Sequence, residues 1–81
     1  MAEFSAGAPV VVKVFADLRK FAPERSEVAV EKDETVDSLV HRLGIPAGKV
    51  TVVFLNARHA DPQDRIRPGD TVSLFPPVGG G

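Results

Sequence analysis

The sequence predicts a two-layer α+β domain in which one amphipathic helix covers a small sheet. Three observations carry this. Four valine-bearing segments with strand-like patterning are spaced along the chain. One stretch, residues 35–44, carries an apolar stripe at helical spacing. The segments between them are short or rich in turn-forming residues.

Residues 9–15 ("PVVVKVF") open the domain. Val10, Val12 and Val14 fall on one face, and Val11, Lys13 and Phe15 on the other. Apolar residues on both faces predict a central strand. "ADLRKFA" at 16–22 tolerates helix, and Pro23 stops it. Leu18 and Phe21 lie three apart, enough for one or two turns pinned to the core. "SEVAVE" then alternates, with Val28 and Val30 inward and Glu27, Ala29 and Glu31 outward. That pattern suits a hairpin-like return to the first strand.

The main helix starts at Thr35, a good N-cap, with Asp37 in the first turn beside the exposed N–H groups. Val36, Leu39, Val40 and Leu43 recur at i, i+3, i+4 and i+7. His41 and Arg42 sit near its C-terminal end, Gly44 supplies a left-handed stop, and Pro46 prevents continuation. "VTVVFLN" at 50–56 predicts a third strand. Residues 57–70 read as turns, marked by Asp61-Pro62 and Pro68-Gly69-Asp70, with Ile66 as the one strong apolar anchor. "TVSLF" at 71–75 is the last strand, with Val72 and Leu74 inward and Thr71, Ser73 and Phe75 outward.

Length and composition bound the function. The 81 residues make one small domain with one core. Residues 1–8 read as a flexible arm, 9–75 as the domain and 76–81 as a protruding tail. A net charge of −1 gives no bulk field to recruit nucleic acid or an anionic membrane. The absence of cysteine excludes disulfides, thiolate catalysis and thiolate-bound metal. No apolar run approaches the roughly 20 residues that span a bilayer. The first residues lack the basic and apolar regions of a secretory signal, so the expected location is the cytoplasm.

The end of the chain, "FPPVGGG", is chemically distinct. Pro76 and Pro77 have no N–H and cannot extend a sheet ladder. Two in succession favour a stiff polyproline II segment leading away from the body. Beyond Val78, residues Gly79, Gly80 and Gly81 form a thin strip that can enter a tunnel too narrow for a Cβ atom. The simplest functional reading makes the Gly81 carboxylate a reactant delivered to another protein. A carboxylate is a poor electrophile, so transfer requires activation, commonly as an acyl-adenylate made from ATP. The chain carries no glycine loop in a strand-turn-helix unit to cradle phosphates. It is therefore expected to be the substrate of that step, with no catalytic residues of its own. The bland alternative is a linker or frayed terminus.

Other residues are less telling. His41 and His59 stand without a cluster at ligand spacing, so no metal site is expected. Lys13, Lys20, Lys32 and Lys49 can accept isopeptide bonds if the protein modifies itself, though scattered lysines are ordinary surface. Arg58, Arg65 and Arg67 make the loop before the last strand locally basic, but Asp61, Asp64 and Asp70 interleave and offset that field. Phe75 with Phe15 and Val11 either forms an exposed apolar patch, the usual mark of an interface, or Phe15 turns inward with the short helix. The residues leave both open.

The combination of "VFADLRKFAP", the helix "TVDSLVHRL", "VVFLN" and the ending "GDTVSLFPPVGGG" resembles the ubiquitin-like sulfur carriers, the MoaD/ThiS family. The resemblance covers roughly residues 10–81. It is nearest by pattern to the MoaD small subunit of molybdopterin synthase and to the archaeal small modifier proteins. It implies a ubiquitin-like β-grasp fold, a small mixed sheet packed on one main helix. It also implies that a ubiquitin-activating-type enzyme adenylates Gly81 with ATP, and that a sulfur donor converts the adenylate to a thiocarboxylate. The sulfur then passes to an acceptor, which for MoaD is the large synthase subunit that builds molybdopterin. No permanently bound cofactor is implied. Pro76, Pro77, Val78, Gly79 and Gly80 correspond to the inserted tail, and Phe75 to the aromatic position at its base, a partner contact. The segment "GIPAGK" is shorter than in some relatives. "FPPV" fits MoaD better than ThiS but also occurs in protein modifiers, which leaves the final acceptor open between a pterin cofactor pathway, another sulfur acceptor and a protein lysine.

Overall fold

The computed structural model describes residues 8–77. Five strands form one mixed sheet in the order β2-β1-β5-β3-β4. β1 spans Val10–Val14 and β5 spans Thr71–Phe75. They run parallel at the centre, with Val12 opposite Val72 and Val14 opposite Leu74. β2 (Arg25–Val28) pairs antiparallel with β1, and β3 (Val52–Leu55) pairs antiparallel with β5. β4 (Arg58–Ala60) completes the far edge against β3.

The alternation along β1 and β5 becomes the two faces of the sheet. Val10, Val12, Val14, Val72 and Leu74 are essentially inaccessible. Helix α1 (Val36–Arg42) covers them with Val36, Leu39 and Val40. Ile45 and Ile66 close the core from the loops, and Leu18 plugs its end from a 3-10 helix at Ala16–Lys20. Leu43 and Val30, expected inward, are partly buried against this core. The expected mixed sheet on one main helix is thus observed.

Helix α1 begins as the sequence implies, and more firmly. The Ser38 N–H donates to Thr35 Oγ1 at 3.1 Å, and the Thr35 N–H donates to Ser38 Oγ at 3.0 Å. This reciprocal cap satisfies two N-terminal donors and contributes about 1 kcal/mol. The loop before β5 supplies two more acceptors, the carbonyls of Asp64 and Pro62, for the Val36 and Asp37 N–H groups. At the other end Gly44 takes φ 81°, the left-handed stop expected there.

Three features depart from the sequence reading. Residues 57–70 contain a strand, β4, where only turns were expected. Asn56 and Ala57 both have positive φ (54° and 69°), as a type I′ hairpin requires, so the chain reverses in two residues. β2 covers Arg25–Val28 and ends before Val30. A further 3-10 turn, Ala47–Lys49, stands between α1 and β3.

A buried charge was also not anticipated. Glu34 is 4% exposed. Its carboxylate accepts from the Glu31 N–H (3.0 Å), the Ser38 hydroxyl (2.6 Å) and Arg42 Nη2 (2.8 Å). Arg42 Nη2 also donates to the Ala29 carbonyl at 2.8 Å. Burial by itself pushes the Glu34 carboxyl up. The Glu31 N–H, the Ser38 hydroxyl and the Arg42 guanidinium outweigh it and hold the group below its ordinary value. This knot ties the end of β2 to both ends of α1.

Candidate functional site

The face of the sheet away from α1 has no covering layer among the described residues. The parallel register that sets Val14 beside Leu74 sets the next residues, Phe15 and Phe75, side by side. Their rings stack at a centroid distance of 4.3 Å with 7° between planes. The Phe15 N–H donates to the Leu74 carbonyl at 3.2 Å, so the ladder continues one residue past β1. Ala16 then takes φ 54° and the chain turns sharply into the 3-10 helix. That left-handed conformation costs a non-glycine residue on the order of 1 kcal/mol and turns the chain directly after Phe15.

On the other side of Phe75, Phe54 of β3 approaches edge-on at 5.8 Å and 73°. His59 of β4 meets Phe54 in the same manner at 6.0 Å. Phe15, Phe75, Phe54 and His59 thus form an aromatic row across four neighbouring strand positions. Phe15 is 39% exposed, the one large apolar side chain so open among the described residues. Of the two readings left by the sequence, the exposed patch is the one observed; Leu18 goes inward instead. The sequence reading above does not mark Phe54. Its signal was parity: in "VTVVFLN", Val52 and Phe54 share the face opposite Val53 and Leu55.

Directly beside this row the tail begins. The Phe75 carbonyl accepts from the Thr51 N–H at 2.9 Å, the last rung of the ladder. Pro76 is half-buried and Pro77 exposed, and neither has an N–H to continue pairing. They line a cleft of about 210 Å³ together with Asp17, Phe21, Lys20 and Lys49. Val78, Gly79, Gly80 and Gly81, the expected inserted and reactive residues, lie outside the described residues.

The remaining candidates lie elsewhere. His41 is exposed in the last turn of α1. Among the described residues no group of three His, Asp or Glu side chains gathers at metal-ligand distance. Arg58, Arg65 and Arg67 line an open groove of about 360 Å³ at the opposite end of β5, interleaved with Asp64 and Asp70. Arg65 is paired with Asp33 at 3.0 Å. No helix among the described residues is long and apolar enough to cross a membrane.

Comparison with known proteins agrees with this geometry. Residues 12–81 match the ThiS family. None of the curated proteins compared matches the chain. Among solved structures, small archaeal modifier protein 1 of Haloferax volcanii is 31% identical, with a TM-score of 0.71 over 89% of this chain and 100% of that one. A putative molybdopterin converting factor subunit 1 of Pyrococcus furiosus has a TM-score of 0.70 at 24% identity over 89% of this chain and all of its own. The complex of subunits 1 and 2 of the Helicobacter pylori molybdopterin-converting factor contains a chain 25% identical, with a TM-score of 0.60 over 90% of this chain and 99% of that one. The fold is the ubiquitin-like β-grasp, and the chain belongs to the ThiS family, among the ubiquitin-like sulfur carriers and modifiers.

Proposed function

We propose that this protein is a cytoplasmic sulfur carrier whose Gly81 carboxyl group is the cargo site, serving the synthesis of a molybdopterin-type cofactor. A ubiquitin-activating-type enzyme binds the chain and ATP. The carboxylate oxygen attacks the α-phosphate, and pyrophosphate leaves. A donor of sulfide-level sulfur then attacks the acyl carbon, AMP leaves, and a thiocarboxylate remains. In the last step the acceptor, in our reading held by the large subunit of a molybdopterin synthase, bonds to the sulfur; water then attacks the acyl carbon, the C–S bond breaks and the carboxylate is regenerated. ATP and its metal belong to the activating enzyme, whose charges stabilise the anionic transition state. The carrier contributes presentation.

The single observation that carries this reading is the root of the tail. The central strand runs out through Phe75 into two residues without N–H groups, beside an aromatic row that no other layer covers among the described residues. The family match running through Gly81 and the H. pylori subunit complex support it. A second reading is favoured by the 31% identity to an archaeal modifier: the adenylate is attacked by a lysine amine and an isopeptide forms.

Intact-mass measurement tests the first reading. After incubation with the activating enzyme, ATP and a sulfur source, the mass rises by the oxygen-to-sulfur difference. A mass that never changes sinks it. Blots of cells carrying a tagged chain separate the second, because only a modifier gives conjugate ladders that vanish when Gly80 and Gly81 are removed. A binding module with an inert tail would instead keep all partner affinity after that removal.

A further inference from the structure

The cleft at the tail root carries charge that its aromatic neighbours do not explain. Lys20 and Lys49 come from two different 3-10 turns, yet both line the cleft that Pro76 and Pro77 border. Both are exposed. Lys20 Nζ lies 5.9 Å from the centre of the Phe21 ring, which biases where that ammonium sits. Lys13, half-buried on the open face opposite Ser73, adds a third cation close to the stacked rings. Asp17 is the carboxylate lining the cleft, and the neighbouring Arg19 and Glu24 approach each other at 3.8 Å. Among the described residues Lys13, Lys20 and Lys49 make no ion pair. The opposite end of β5 differs: there Arg58, Arg65 and Arg67 are offset by Asp64 and Asp70 in the same groove and by Asp33, which pairs with Arg65 at 3.0 Å. A chain of net charge −1 therefore presents a locally cationic surface on the side where its tail leaves.

We propose that Lys20 and Lys49 form a cationic flank at the tail root that docks on carboxylates lining the entrance to the activating protein's active site. The inference rests on the reading of Gly81 as the activated group and adds the chemistry of the partner surface: apolar where it meets Phe15 and Phe75, acidic where it meets the lysines. Charge at such a rim acts mainly on the association rate and its salt dependence, while apolar anchors set the dissociation rate. The lysines steer the tail toward the entrance before any side chain packs.

The test compares two double charge reversals of equal net charge, using the adenylating enzyme of the same organism. One is Lys20→Glu with Lys49→Glu; the other is Lys32→Glu with Arg58→Glu, away from the tail. Stopped-flow association is measured across a range of salt concentrations, with circular dichroism as the folding check. The tail-root reversal is expected to slow association about tenfold at low salt, the distant reversal by less than about twofold, and the difference to shrink as salt rises. A neutral pair, Lys20→Gln with Lys49→Gln, falls between and guards against misfolding of the reversal. Equal rates for the two reversals, or no slowing by either, overturn the inference. A wild-type chain that the enzyme activates normally, together with an unimpaired tail-root reversal, overturns this inference alone. A wild-type chain that is never activated overturns the reading beneath it.

Discussion

At its first residue β5 is closed in on itself, and at its last it is left open. The Asp70 carboxylate, just before Thr71, accepts from the Arg67 N–H and from Asn56 Nδ2, both at 2.9 Å. The Thr71 N–H donates to Asn56 Oδ1 at 2.9 Å, and the Val11 N–H to the Asp70 carbonyl at 3.0 Å. Each of these polar groups has a partner within the chain. Four residues later the same strand ends on a stacked aromatic pair and two prolines, beside a face with no covering layer among the described residues. The difference is one of self-sufficiency: the first end holds register through its own hydrogen bonds, and under the proposed function the second keeps its contact area for a partner protein. Changes at the closed end should therefore cost folding free energy, and changes at the open end should cost partner binding.

The largest stability effect is expected between the two ends, in the layer that supports both. Leu74→Ala removes a fully buried side chain from the central strand and should destabilise by about 3 kcal/mol in urea unfolding. A loss below about 1 kcal/mol would mean that the site collapses around the gap. Next is Glu34→Gln, expected to cost about 2 kcal/mol because Arg42 is left half-buried beside a neutral group. The folded Glu34 carboxyl sits lower than in the unfolded chain. Its contribution is thus complete above the unfolded value and lost as pH falls through the folded one. Melting temperatures of wild type and Glu34→Gln should differ at neutral pH and converge in acid; a constant gap across that range contradicts the assignment.

The open end gives the opposite signature. Phe15→Ala should weaken binding of the activating enzyme about tenfold while costing little stability, since the ring is already part-exposed. Titration calorimetry and thermal melts on the same samples read both. Asp70→Ala reverses the pattern, with about 1 kcal/mol of stability lost and partner binding changed by less than about twofold. If Phe15→Ala and Asp70→Ala affected folding and binding in the same proportion, the division between the two ends would dissolve. The smallest effect is expected at Ser26. It faces the core side of β2 opposite Val12, and its hydroxyl is buried without a partner among the described residues. Ser26→Ala should stabilise by about 0.5 kcal/mol, and a loss of stability would reveal a hydrogen bond there.

How much of this was legible in the sequence varies by region for physical reasons. The faces of β1 and β5 could be read because alternation over five residues has one meaning. The start of α1 could be read because Thr35 precedes an unbroken apolar stripe. β4 could not: "RHA" has no apolar alternation, and its pairing depends on Val53 and on two positive-φ turn residues, Asn56 and Ala57. Glu34 could not either. In "KDET" it resembles a solvated acid, and only Arg42, eight residues on, and the fold of the loop around it make it a buried one. At the site, Phe75 and the two prolines were legible from chain order. The Phe15 stack required knowing that β1 and β5 pair in parallel, a contact between residues sixty apart in the chain.

ATP–pyrophosphate exchange by the activating enzyme tests the central claim most directly. With the full-length chain, exchange of labelled pyrophosphate into ATP should depend on the chain's concentration and stop when Gly81 alone is removed, while Asp70→Ala leaves it intact. Exchange that continues undiminished without Gly81 would contradict the account.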